Sequence, residues 1–243
     1  MNKLITYETL RKFAYSNDRI CKRPIRGIAV SFFGLGGAAM YAEDTEEGKL
    51  FAEQGILFVI PYTNPWAWMN RQAVCYTDEI LDVLIAHENL SEDIPIVSSG
   101  GSMGGLAALV YTAKAKRTPA ACVANCPVCD LPAHFSERDD LPRTLYSAFY
   151  DKEGDIAEVL KDASPVHLAD KMPEARYTIF HCEEDKAVNK SLHSDVFVRK
   201  LRERFPVAYY AVPERGHCDL TPDMRQLYYR CISDGIAEKQ REM

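Results

Sequence analysis

The sequence predicts an α/β protein: a mostly parallel sheet covered by helices on both faces. Two observations carry this. Short apolar runs alternate with segments of helical periodicity along most of the chain, and each apolar run ends in a turn rich in glycine, proline or polar residues. A chain of 243 residues with 47% hydrophobic and 26% charged residues can bury one full core, so we expect a single domain over residues 1–243.

The opening segment is polar and receives no assignment. GIAVSFF (27–33) has the length and apolar character of a buried strand and ends in the turn GLGG; residues 38–54 then follow a helical pattern. ILFVIPY (56–62) reads as a second strand, closed by the loop PYTNPWAWMN. Val74, Ile80, Leu81, Leu84 and Ile85 fall at helical spacings and predict a helix over 72–89. IPIVSS follows as a strand, residues 103–116 as a helix rich in Ala and Leu, and AACVANCPV as a strand. Residues 131–165 break the rhythm with prolines, acidic clusters and aromatics, and we read them as a short cap insertion. Alternation resumes with ARYTIFH (strand), 189–204 (helix), VAYYAV (strand) and a terminal helix from Thr221.

Composition narrows the partners. The net charge of -6 comes from both signs scattered along the chain, so neither nucleic acid nor an anionic membrane is expected. The opening residues lack the apolar core of a signal peptide, and no window approaches the ~18 apolar residues of a spanning helix, which predicts a cytoplasmic protein. Its eight cysteines are then expected as reduced, mostly buried thiols.

The chemistry concentrates at SSGGSMGG (98–105), where a strand pattern becomes a helix pattern. Glycine suits neither element, so four of them around one serine need another reason. A strand that reverses at once into a helix requires small residues two before and two after its centre, and Gly100 and Gly104 occupy those positions around Ser102. The serine hydroxyl then stands at a helix N-terminus, where backbone N–H groups favour a developing oxyanion. Phosphate cradling would need G-x-x-x-x-G-K-[ST], and no lysine follows Gly105. A serine nucleophile needs a base, and the base an acid. Asp185 in CEEDKAV and His217 in PERGHCDL each lie just beyond the end of their own strand, in the chain order Ser, Asp, His.

GGSMGG, HCEEDKAV and ERGHCDL, together with SPVHLADK (164–171), resemble the α/β-hydrolase superfamily over nearly the whole chain. They are most similar to small members related to the catalytic domain of prolyl oligopeptidase-like enzymes. The resemblance implies an α/β-hydrolase fold, a triad of Ser102, Asp185 and His217, and a structural role for His181; Cys182 replaces the family glycine. Asp130 is the alternative acid, a position some related hydrolases use. The oxyanion donors are expected to be the N–H groups of Met103 and Leu35, since Phe33-Gly34 stands where many relatives carry His-Gly.

Other residues receive plainer readings. His87, His134, His167 and His193 read as surface or hydrogen-bonded histidines. Cys122, Cys126 and Cys129 show a C-x3-C-x2-C spacing seen in iron–sulfur sites, but the first two are expected on one face of a buried strand. Cys218 reads as a small neighbour of His217 whose oxidation would disturb the base. Tyr62, Trp66 and Trp68 could anchor their loop or wall a substrate pocket. The expected activity is ester hydrolysis through an acyl-enzyme, with a small-molecule ester as substrate and no cofactor or metal. The alternatives are a peptidase acting on short peptides and a non-catalytic small-molecule binding protein.

Overall fold

The protein is described from a computed structural model that covers residues 4–242. The first strand, β1 (Ala14–Ser16), is followed by β2 (Gly27–Phe32), α1 (Glu46–Glu53), β3 (Ile56–Pro61) and α2 (Arg71–His87). The centre holds β4 (Ile96–Gly101), α3 (Met103–Lys114) and β5 (Ala121–Asn125). Four short helices come next: α4 (Leu131–His134), α5 (Leu141–Phe149), α6 (Ile156–Lys161) and α7 (Pro165–Leu168). The chain closes with β6 (Arg176–Cys182), α8 (Ser194–Leu201), β7 (Val207–Val212) and α9 (Pro222–Glu242).

The strands form one seven-stranded sheet in the order β1-β3-β2-β4-β5-β6-β7. All neighbours from β3 to β7 run parallel, and only the edge strand β1 is antiparallel, pairing Ala14 with Pro61 and Ser16 with Val59. Every residue of β3 and β5 is buried, as expected of strands with helices on both faces. One core layer joins residues of α2, α3 and α8; the other joins Phe51 of α1 with Cys231, Ile232 and Ile236 of α9. Helix α3 is buried from Met103 to Thr112 and so lacks a solvent stripe, which explains its run of small and apolar residues.

Departures from the sequence reading have local causes. The helix expected over 38–54 begins only at Glu46, because Thr45 caps it by accepting the Gly48 N–H at 2.9 Å. The preceding loop is held by Tyr15, whose hydroxyl donates to Asp44 at 3.0 Å and accepts the Thr45 N–H at 3.3 Å. The helix expected from 189 starts at Ser194. Within 131–165, Leu131, Leu141, Leu145, Phe149 and Leu160 are buried and join the layer that holds α3.

Cys122 and Cys126 do not share a face. Cys126 follows the last residue of β5 with φ +45°, which turns its side chain into the α9 layer while Cys122 packs in the α3 layer. With Cys129 bonded to the Pro127 carbonyl at 3.5 Å, the three sulfurs do not converge on a common point among the described residues.

Candidate active site

Ser102 sits between β4 and α3 with φ 60° and ψ -126°, a conformation that costs an L-residue about 1–3 kcal/mol. Its backbone is clamped from several sides. The Ser102 N–H donates to Asn125 O at 2.9 Å, and its carbonyl accepts the N–H groups of Leu106 at 3.1 Å and Val128 at 3.3 Å. The two flanking glycines are required by contact. A Cβ at Gly100 would lie 2.4 Å from Gly104 O, and one at Gly104 would lie 2.1 Å from Phe32 O. The elbow is therefore pressed against the end of β2, and a Cβ placed on Gly34 in the following loop would lie 3.8 Å from the Ser102 Cβ.

The expected oxyanion donors, Leu35 and Met103, belong to the two segments that meet there. The Met103 N–H is the first of α3 and has no intrahelical partner. The Leu35 N–H lies in the turn after β2, where Gly36 donates to Pro65 O at 3.0 Å and Gly37 to Gly34 O at 3.0 Å. Among the described residues neither Leu35 nor Met103 donates to a backbone carbonyl.

Asp185 and His217 meet across the ends of β6 and β7. His217 Nδ1 donates to Asp185 Oδ2 at 2.6 Å. The second carboxylate oxygen accepts the N–H groups of Ala187 at 2.8 Å and Val188 at 2.9 Å, and the side chain is fully buried. Burial opposes the charge on Asp185, but the imidazoles of His181 and His217 and the Val188 N–H hold it well below the usual carboxylate range. Burial likewise opposes the charge on His217, and the hydrogen bond and charge of Asp185, joined by the contact with Cys126, outweigh it, raising the imidazole above its ordinary value. Contact with Cys218 and burial push the Cys126 thiol far up, so it adds no charge beside His217 at neutral pH. With the proton on Nδ1, His217 Nε2 is left as an acceptor. Its partner here is Cys218 Sγ at 3.8 Å, and no hydrogen bond joins it to Ser102 Oγ among the described residues. Hydrogen bonds of this kind are often long before substrate arrives.

His181, expected as structural, is buried beneath this pair: it contacts Val188 O at 3.1 Å through Nε2 and Ser194 Oγ at 2.6 Å through Nδ1, and lies 3.4 Å from Asp185. Asp130, the alternative acid, instead caps α4 by accepting the Ala133 N–H at 3.1 Å. Asn125 escaped the sequence reading. It holds the Ser102 N–H through its carbonyl and donates its amide to Cys218 O at 3.3 Å, linking elbow and base loop. Its only sequence signal is its place at the end of a strand next to the nucleophile strand.

The three aromatics of the loop after β3 separate. Trp68 is 1% exposed, and its indole N–H donates to Thr144 Oγ1 at 3.1 Å, so it anchors the loop to α5 and cannot wall a substrate pocket. Trp66 is 41% exposed, and with Tyr62, Asn70, Arg71 and Tyr150 it lines a groove of about 590 Å³ that includes neither Ser102 nor His217. A smaller hollow of about 300 Å³, lined by Phe33, Gly100, Gly101, Asn125 and Cys218, borders the strand end before the elbow, and Ser102 and His217 are not among its lining residues either. No helix among the described residues is long and apolar enough to cross a membrane.

Residues 67–234, which include Ser102, Asp185 and His217, match the profile of the prolyl oligopeptidase family. The chain belongs to that family. Comparison with curated proteins finds no match. Among solved structures, this family member is similar to a puromycin hydrolase with TM-score 0.68 and 17% identity, covering 89% of this chain and 34% of that one. It thus spans about a third of the length of such relatives. It also resembles an S-formylglutathione hydrolase from Agrobacterium tumefaciens (TM-score 0.64, 17% identity, 88% of this chain and 83% of that one). A lipase in its open form matches at TM-score 0.63 and 12% identity, with 93% of each chain covered. The sheet and these neighbours give the chain the α/β-hydrolase fold.

Proposed function

We propose that this family member is a serine hydrolase that cleaves carboxylic esters by acyl transfer. The observation that carries the reading is the strained Ser102 at the head of α3 on the same sheet edge as the 2.6 Å Asp185–His217 pair. Ser102 Oγ attacks the ester carbonyl while His217 Nε2 takes its proton; the tetrahedral oxyanion is held by the N–H groups of Met103 and Leu35. The imidazolium then protonates the departing alkoxide. Water, deprotonated by the same nitrogen, releases the acid and frees Ser102. Asp185 keeps the His217 proton on Nδ1 and stabilises the imidazolium.

Two observations favour a small ester. The hollow beside the strand end before the elbow holds only about 300 Å³, and the lipase and the S-formylglutathione hydrolase similar to this chain are matched over 93% and 83% of their length. Peptide hydrolysis is the second reading, favoured by the family itself and by the puromycin hydrolase. The residues at 131–165 are proposed as the cap, with Trp66 and Tyr62 at its rim.

A fluorophosphonate probe read by intact mass tests the proposal. We expect a single adduct on the wild type and none on Ser102→Ala or His217→Ala; an unlabelled wild type would sink the reading. Turnover of short p-nitrophenyl esters beside aminoacyl anilides separates the two substrates, and cleavage of anilides alone would replace the first reading by the second.

A further inference from the structure

Three sets of His, Cys and carboxylate side chains bring their ligand atoms within 4.8 Å of one another: Cys126 with His217 and Cys218, Cys126 with His181 and Asp185, and His134 with Glu137 and His193. The lone pairs decide among them. His193 Nδ1 accepts the N–H groups of Cys129 and Asp130, both at 3.1 Å, so its proton sits on Nε2 and points at Glu137. Neither His193 nitrogen is then free for a cation. Around His181 both ring nitrogens and both Asp185 oxygens already have hydrogen-bond partners. At His217 the Nδ1 proton is held by Asp185, and the partner of Nε2 is the Cys218 thiol, so the contact a cation would displace lies between two of its own ligands.

We propose that Cys126, His217 and Cys218 form a site for a thiophilic divalent cation of the zinc type, and that filling it stops the hydrolase. Zinc–sulfur and zinc–nitrogen bonds of about 2.3 and 2.05 Å set a tetrahedral N···S edge of roughly 3.5 Å and an S···S edge of roughly 3.8 Å. Nε2 and Cys218 Sγ already stand 3.8 Å apart, and Cys126 Sγ lies within 4.8 Å of both residues' ligand atoms, so small side-chain shifts close the site.

The surroundings fit as well. Cys126 Sγ accepts the backbone N–H groups of Cys182 at 3.3 Å and Cys218 at 3.4 Å, two contacts a thiolate would keep once the cation's charge has offset the Cys218 contact and the burial that hold the thiol protonated. Asp185 behind His217 reproduces the carboxylate–histidine pair that orients metal-bound imidazoles. His217 is 28% exposed, which gives the ion a path in and leaves the fourth position to solvent. Binding releases the two thiol protons to solvent, and the Nε2 proton as well where His217 is an imidazolium, as two sulfurs and Nε2 donate to one cation, so affinity rises with pH. Inhibition follows because the cation takes the lone pair that would receive the Ser102 proton, a step that rests on the acyl-transfer reading; cation binding itself does not.

The test titrates Co2+ into the reduced, chelator-treated chain and reads the near-ultraviolet thiolate-to-cobalt absorption, then measures fluorophosphonate labelling of Ser102 with and without Zn2+. We expect the absorption to saturate at a single equivalent, to be displaced by Zn2+, and to vanish in Cys218→Ala. Zinc should slow wild-type labelling by about tenfold or more, reversibly with a chelator, and leave the labelling rate of Cys218→Ala unmoved. Cys218 is only half-buried, so this variant keeps the test open even if replacing the buried Cys126 prevents folding. No thiolate band in the wild type, or an equal band in Cys218→Ala, overturns the site. A band with zinc-insensitive labelling overturns the inhibition. A wild type that shows the band but never labels supports the site and counts against the hydrolase.

Discussion

Asp185 and His217 each change the charge the other carries, and the signs give a rate prediction. Because Asp185 raises the imidazole, the acid limb of kcat/KM should lie above the ordinary imidazole value of about 6.5. Asp185→Asn removes the charge and disturbs the tautomer, so the rate should fall by about three to four powers of ten, and the acid limb should move down. A pH–rate profile on both proteins checks this; an unmoved limb would mean that Asp185 does not set the His217 equilibrium. Glycine offers a second residue-scale prediction. Gly104→Ala would place a Cβ 2.1 Å from Phe32 O and 2.8 Å from Phe33 O, both backbone atoms, and should cost about 3 kcal/mol in urea unfolding as well as Ser102 labelling. Gly36→Ala meets nothing within 4 Å, and its φ of +78° alone should cost about 1–2 kcal/mol. The spacing of Gly100 and Gly104 around Ser102 was legible because chemistry and sterics demand the same residues. The turn of Cys126 was not, since a single positive φ reverses a side chain without changing the hydrophobic pattern.

Elements show the same division. The six parallel strands announce themselves as apolar runs, whereas β1 is three residues long and owes its existence to β3, with Tyr15 opposite Ile60. No periodicity can be read from three residues. Trp66 and Trp68 are two positions apart in one loop and chemically alike, yet Trp68 packs inward edge-on to His134 while Trp66 faces Arg143 at 5.8 Å. Only the tertiary structure distinguishes them. Trp68→Ala should therefore destabilise the protein by about 3–5 kcal/mol, since it empties a core site and frees α5 from the loop. Trp66→Ala should leave unfolding within about 0.5 kcal/mol of wild type. Urea melts of both variants check the pair, and equal losses would contradict the division of roles.

At the scale of the whole molecule, the Asp185–His217 pair contributes to stability with a sign fixed by its shifts. The folded value of Asp185 lies below its unfolded value, so its contribution is complete above about pH 4 and is lost as pH falls through the folded value. The folded value of His217 lies above its unfolded value, so its contribution is complete below about pH 6.5 and is lost as pH rises through the folded value. Both contributions are present together only between those limits. His134 and His193 behave oppositely: burial lowers both, so their neutral forms favour the fold and acid draws stability away below about pH 6.5. Wild-type stability alone therefore mixes the two effects, and the difference between wild type and Asp185→Asn isolates the Asp185–His217 pair. That difference, measured by urea unfolding from acid to alkaline pH, should be greatest between about pH 4 and 6.5 and should shrink on both sides. A difference that stays level from about pH 4 into the alkaline range would mean that Asp185 is stabilised by the N–H groups of Ala187 and Val188 alone, with His217 contributing nothing to the fold.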